Sequence, residues 1–138
     1  TLFRSYLRQG KIIQLHGGGE AIKSYIHIRD VSRGELAAME NGQDGSIYHL
    51  SPDRGISVKD VVRLICESMC KDFNKSVLSV SERLGQDKAY IIDSSKARDE
   101  LGWETSVSFE KGIHEVIQWV EKYWENIKKE PLEYIHKP

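Results

Sequence analysis

The sequence has little of what would staple, steer or anchor a chain. It holds only two cysteines, Cys66 and Cys70. They fall four apart on a predicted helix, which puts both on one face. Structural zinc takes three or four protein ligands, and no CxxC partner exists. The pair therefore reads as two reduced core or near-core thiols rather than half a metal site or a redox pair. Free thiols fit a reducing compartment, so a cytoplasmic location is expected. Neither sign of charge dominates: the formal net charge is −1, and Lys and Arg are spread along the chain. No basic field exists to attract nucleic acid. No apolar run approaches the roughly 18 residues that span a bilayer, so no membrane partner is expected. The opening TLFRSYLRQG lacks a signal-peptide core. It also lacks an initiator Met and starts inside a helical pattern, which suggests a fragment.

Catalytic motifs are missing as well. HGGGE (16–20) invites a phosphate-loop reading, because glycines let backbone N–H groups approach phosphate oxygens. GxxxxGK[ST] is absent, and the dinucleotide fingerprint fails because Ile22 stands where its third Gly should be. A tight turn between two strands is the better reading. The histidines His16, His27, His49, His114 and His136 show no HExxH or other ligand spacing. No Tyr is followed four residues later by Lys, and no GxSxG occurs. No linker, repeat or low-complexity segment divides the 138 residues, which suffice for one domain with a real core.

What is present is an interleaving of helices and strands. Residues 2–9 have helical spacing, and Gly10 is placed to end that helix. KIIQLH (11–16), AIKSYIHI (21–28), SIYHLS (46–51), SVLSVS (76–81) and AYIID (89–93) read as strands. Asp30 is a good N-cap for a helix running through about Glu40, closed by Asn41 and Gly42. Ser57 with Asp60 resembles a capping box. Val58, Val61, Val62, Ile65, Cys66 and Met69 line one side of the helix that follows. Ser94 or Ser95 caps a helix ending at Gly102. Ser108 caps the longest helix, whose stripe of Phe109, Ile113, Val116, Ile117, Val120, Trp124 and Ile127 predicts core packing. His114 lies off that stripe. The tail after Pro131 reads as irregular. The class is mixed α/β, with too few strands for a complete doubly wound sheet. Lys23 and Arg29 flank the second strand, and Arg83 and Lys88 stand in the loop before AYIID. Arg can grip phosphate as a planar fork and Lys as a point charge. Solvated surface charge is the plainer account of such a set.

Three stretches together resemble a known family. RQGKIIQLHGGGEAIKSYIHIRDV is similar to a pattern of a hydrophobic strand, a Gly-rich turn, and then R-D/S-aromatic-hydrophobic-H/Y-V/I-x-D-V. GSIYHLS resembles G-x-x-Y-N-I-G. ERLGQDKAYIIDSSKARDELGWETSVSFEKGI resembles D-R-P-G-x-D-x-R-Y-x-x-D-x-S-K-x-x-x-E-L-G-W-x-P-x-x-x-F-E-x-G-I. Asp93, Ser95, Lys96, Glu100, Leu101, Gly102, Trp103, Phe109, Glu110, Gly112 and Ile113 all fall in place. These are C-terminal signatures of the extended short-chain dehydrogenases that act on nucleotide-sugars, the 4,6-dehydratases first and the 4-epimerases next.

The resemblance implies a two-part Rossmann-type enzyme of which residues 1–138 are the small mixed α/β substrate-binding part. The NAD(P)-binding Rossmann part, with its Tyr-x-x-x-Lys pair, lies outside this sequence. NAD(P) belongs to the parent enzyme, and no cofactor is expected for this chain alone. The implied ligand is a nucleoside-diphosphate-sugar, and the implied substrate-binding set is Lys23, Tyr25, His49, Arg83, Gln86 and Lys88. Arg83 matches the arginine that contacts the diphosphate. Gln86 falls near the nucleotide ribose. Lys23 replaces a second phosphate-binding Arg, keeping the charge but losing the fork. His49 replaces a common Asn, and Leu84 a common Pro. Tyr90 and Trp103 are expected to be structural. An apolar face normally covered by the Rossmann part should be left open, offering a route to self-association. The alternative is a non-catalytic module of the same fold that binds a nucleotide-sugar or a protein.

Overall fold

The structure is a computed structural model that describes residues 2–85 and 87–129. Gln86 and the tail after Pro131 lie outside the described residues. The first helix, α1 (Leu2–Arg8), ends as the glycine predicts, with Gly10 at φ 68°. Strand β1 (Ile13–His16) follows, with Ile13 and Leu15 buried and Gln14 exposed. That alternation leaves one face of β1 on the core. The glycine stretch forms a 3₁₀ turn over Gly17–Gly19, all three at positive φ. It leads to β2 (Ile22–Lys23), which belongs to a different sheet from β1.

The larger sheet has the order β3-β2-β5, with β3 at Ile56–Ser57 and β5 at Ala89–Tyr90. β2 is antiparallel to β3 and parallel to β5, with Lys23 opposite Tyr90. The smaller sheet joins β1 in parallel to β4 (Val77–Val80), with His16 opposite Val80. Five helices complete the elements from Ile28 to Leu101 and beyond: α2 (Ile28–Asn41), α3 (Val58–Ser68), α4 (Phe73–Ser76), α5 (Ser95–Leu101) and α6 (Phe109–Lys122). A further turn, α7 (Trp124–Ile127), comes after Tyr123, so the predicted long helix is interrupted there.

The core forms where the apolar stripes of α1, α3 and α6 meet the inner face of β1. Leu7, Ile13, Leu15, Val62, Ile65, Cys66, Ile113 and Ile117 make one cluster. Each such side chain contributes about 1.5–3 kcal/mol by leaving water. Three caps hold as read. Ser57 Oγ accepts from Asp60 N at 3.0 Å and donates to its carboxylate at 2.7 Å. Ser108 Oγ accepts from Lys111 N. Gly102 closes α5 in the left-handed region at φ 61°.

Several local expectations change. His27, not Asp30, is the N-cap of α2, its Nδ1 accepting from Arg29 N at 3.2 Å. Asp30 falls inside the first turn and is completely buried. The stretches at 21–28 and 89–93 pair over only two residues each, and no strand forms over 46–51. Alternation reports which side chains are buried, whereas a ladder also needs a backbone partner; the carbonyl of Ser51 instead accepts from the side chains of Ser94 and Arg98. Along one side of α2, Ile28, Leu36 and Met39 stand exposed, as does Ile47 nearby in sequence.

The cysteines do not share a helix face. Cys66 is buried in α3, whereas Cys70 lies beyond the helix end and is exposed. Lys71 N donates to Cys66 O at 2.8 Å, and Cys70 N to Glu67 O at 3.0 Å. This is the Schellman pattern, in which the residue at Cys70's position is usually glycine. Cys70 has φ 53°, where an L side chain crowds the following carbonyl. Cys70→Gly is expected to stabilise the chain by about 0.5–1 kcal/mol, after the extra flexibility of the unfolded chain is counted. Urea unfolding checks this. A loss of stability would mean that the Cys70 side chain makes a contact that outweighs its backbone conformation.

Candidate functional site

Parallel pairing of β2 with β5 brings two distant parts of the sequence together. Ile22 N donates to Lys88 O at 2.9 Å, so the loop leading into β5 lies directly beside Lys23. Lys23 Nζ donates to the carbonyl of Asp87 at 3.3 Å and sits 5.6 Å from the centroid of the Tyr90 ring. The other end of the loop is also fastened. His16 Nδ1 lies 3.1 Å from Ser81 O, and the Glu82 side chain packs against Gly17 at the start of the glycine turn. A Cβ on Gly17 would come within 3.2 Å of that side chain, at a φ of 56°. The positive φ favours glycine there, and a Cβ would also push the Glu82 side chain aside.

The loop carries Arg83 and Lys88, both exposed. Among the described residues, neither side chain forms an ion pair or a hydrogen bond. Three cations, Lys23, Arg83 and Lys88, therefore belong to one sheet end and its adjoining loop. Two carboxylates, Glu82 and Asp87, share the loop, and Lys23 reaches the backbone of Asp87. An anion arriving here would meet two exposed cations, Arg83 and Lys88, beside the tethered Lys23, and could form charge-assisted hydrogen bonds with them.

His49 is exposed on the stretch before β3. It is near Asp93, whose carboxyl is held below its ordinary value chiefly by the hydrogen bonds of Ser95 N and the Ser95 side chain, against the opposing effect of burial, with Arg98 and His49 adding lesser help. Asp93 Oδ1 accepts from Ser95 N at 2.9 Å, so the carboxylate caps α5, and Ser94 Oγ instead donates to Ser51 O at 2.8 Å. Tyr48 OH donates to Glu100 at 2.8 Å, tying the same stretch to α5.

Tyr25 points to a different place from the cations. It packs on the core cluster with its ring 5.7 Å from that of Phe109, and burial pushes its phenol pKa up. It lines a cavity of about 280 Å³ together with Arg4, His27, Phe109 and Ile113. Gln86, the remaining predicted site residue, lies outside the described residues.

Two buried charged groups were not singled out as such by the sequence. Arg4 is only 7% exposed, and its Nε has no hydrogen-bond partner among the described residues. Desolvation lowers its pKa. The signal was available, because Arg4 lies three before buried Leu7 and so on the same side of α1. Asp30 Oδ1 accepts from Ser106 N at 3.1 Å and Ser106 Oγ at 2.9 Å, and Oδ2 from Val107 N at 3.0 Å. Its backbone carbonyl accepts from Trp103 Nε1 at 2.8 Å, which accounts for the structural part expected of Trp103. Asp30 is the pin that holds the loop before α6 against α2.

Residues 2–116 match the family model described as GDP-mannose 4,6 dehydratase. The chain belongs to that family. A dTDP-glucose 4,6-dehydratase of Escherichia coli is 28% identical over 131 residues, covering 86% of this chain and 36% of the relative. Among solved structures, DesIV, a dTDP-glucose 4,6-dehydratase of Streptomyces venezuelae determined with NAD bound, is 31% identical with a TM-score of 0.84. It covers 96% of this chain, which covers 40% of it. A UDP-glucose 4-epimerase of Thermotoga maritima, solved with UDP-glucose, is 29% identical with a TM-score of 0.81, covering 88% of this chain and 38% of its own. The mixed α/β fold is thus that of part of a dehydratase/epimerase family member, and this chain spans under half the length of each of these relatives. No described helix is long and apolar enough to cross a membrane.

Proposed function

We propose that this chain is the C-terminal substrate-binding part of an NAD(P)-dependent nucleotide-sugar 4,6-dehydratase or epimerase. It grips the diphosphate of a nucleoside-diphosphate-sugar through Lys23, Arg83 and Lys88 and does not turn the sugar over alone. The observation that carries this reading is the placement of Lys23 beside the 83–88 loop by β2–β5 pairing, in a chain of this family. Family relatives solved with NAD and with UDP-glucose support the class of ligand. NAD(P) supplies the hydride chemistry in the parent enzyme. This sequence has neither the Gly-rich fingerprint nor a Tyr-x-x-x-Lys pair to hold and use it.

The role of this part is orientation. Charge-assisted contacts to the diphosphate fix a group remote from the reacting carbon, and that binding energy holds the sugar in line. Arg83 offers a planar fork, whereas Lys23 and Lys88 offer point charges. The exposed apolar side of α2, with Leu36 and Met39, is the surface that the Rossmann part would cover.

Calorimetric titration with UDP-, dTDP-, CDP- and GDP-sugars tests the site. One base should be preferred, and Arg83→Ala and Lys23→Ala should each weaken binding at least about tenfold, the equivalent of one charge-assisted hydrogen bond. Lys23→Arg should retain binding or tighten it. Binding of normal strength in both alanine variants would reject this cluster as the diphosphate site. NAD-dependent turnover by the isolated chain would reject the inactive-part reading.

A further inference from the structure

The cavity beneath Tyr25 is chemically unlike the cationic cluster. Its walls come from α1, the stretch 25–28 and the first half of α6, and most are apolar: Phe109, Ile113, Val116, Val107 and Ile28. Its one arginine is Arg4, buried and lacking a partner at Nε. The one carboxylate recorded beside His27 is already engaged: Glu115 pairs with Arg29 and lies 3.5 Å from His27 Nε2. A guanidinium is rarely buried without a carboxylate or phosphate, because leaving water without compensation is costly.

We propose that this cavity is a binding site for a small monocarboxylate with an apolar body, its carboxylate on Arg4 and its body against Phe109, Ile113 and Val116. The volume fits. An apolar cavity of roughly 150 Å³ accepts a benzene ring, and this one, at about 280 Å³, has room for a ring plus a short chain. The donor set fits a monoanion. A guanidinium edge matches the two oxygens of a carboxylate, whereas a phosphate dianion calls for more cationic donors than the one arginine of this lining. Tyr25 and His27 add polar atoms beside the apolar wall, the mix of a few convergent polar groups in an apolar pocket that small-molecule sites share.

The site is distinct from the diphosphate cluster, so the two can be tested apart. The probe is 3-phenylpropionate, with 3-phenylpropanol as its neutral counterpart, followed by calorimetry and by amide chemical shifts. Saturable binding is expected, with shifts centred on residues 25–28 and 107–116. The alcohol and the Arg4→Leu variant should each bind at least about tenfold more weakly, the loss of one charge-assisted contact. A thermal melt establishes that the variant is folded, and Arg4→Lys should bind in between, keeping charge without the fork. The proposal is overturned by absence of saturation up to roughly 10 mM, below which even very weak sites are detected. Equal binding of the alcohol, unchanged binding by Arg4→Leu, or shifts centred on Lys23 and the 83–88 loop would overturn it equally.

Discussion

Asp30→Ala is expected to destabilise the chain by about 3–5 kcal/mol, the cost of breaking a buried charged network by removing one member. The carboxylate is wholly buried and accepts three hydrogen bonds, two from backbone N–H groups at Ser106 and Val107. Those donors cannot move away when the acceptor is deleted, and an orphaned buried N–H is costly. Arg33, 3.3 Å from Oδ1, would also lose its counter-charge. Urea unfolding of the variant measures the effect, and a change below about 1 kcal/mol, ordinary for a surface site, would mean that water replaces the carboxylate.

The same group sets an acid limit. Burial by itself would raise the Asp30 pKa, but the hydrogen bonds from Val107 and Ser106, with Arg33, outweigh it and hold the carboxyl below its ordinary value. A pKa depressed on folding contributes stability that is fully present above the unfolded value of about 3.9. That contribution is lost as pH falls through the folded value. The chain should therefore lose stability progressively below about pH 4, and Asp30→Asn should flatten that part of the profile. A profile unchanged in the variant would assign the acid sensitivity to other carboxylates.

Arg4→Leu is the second large effect, and its sign is opposite. The guanidinium is buried, its Nε lacks a partner, and desolvation lowers its pKa. Replacement by an apolar side chain removes a buried donor that lacks an acceptor and extends the stripe formed with Leu7. A gain of about 1–3 kcal/mol is expected, or a melting temperature several degrees higher for a chain of this size. A lower melting temperature would show that Arg4 has an acceptor in solution. The gain in stability and the loss of carboxylate binding should appear in the same variant.

The helices were legible because each carries its own signals. Ser57, Ser108, Gly42 and Gly102 mark ends at the positions where the chain turns, and the stripe of α3 is the buried side. Strands were over-read for a physical reason. The stretch 46–51 has strand-like residues, but pairing needs a partner that local pattern cannot supply. Asp30 was read as a cap because Asp before a helix usually is one. Its actual partners lie more than 70 positions away at Ser106 and Val107, beyond any local pattern. The meeting of Lys23 with the 83–88 loop is of the same kind. Composition and spacing left those residues as scattered surface charge, and only the family resemblance joined them. Tyr25 was grouped with the cations by that resemblance, and the structure packs its ring on Phe109.

The two parallel pairings have a kinetic consequence. β1 with β4, and β2 with β5, both tie residues near the start of the chain to residues near its middle, as in the contact of His16 with Ser81, 65 positions apart. Everything from α2 to α4 lies within the loop that these ladders close. Closing such a loop costs entropy before any ladder bond repays it, though the cost grows only by about 0.6 kcal/mol per doubling of length. Helices α3 and α6 can form early from their local signals, whereas the pairing of β2 with β5, which sets Lys23 beside the loop of Arg83 and Lys88, needs distant segments to meet. The meeting of Lys23 with the loop that carries Arg83 and Lys88 is therefore expected to come late in folding, at a rate set by topology rather than by helix propensity.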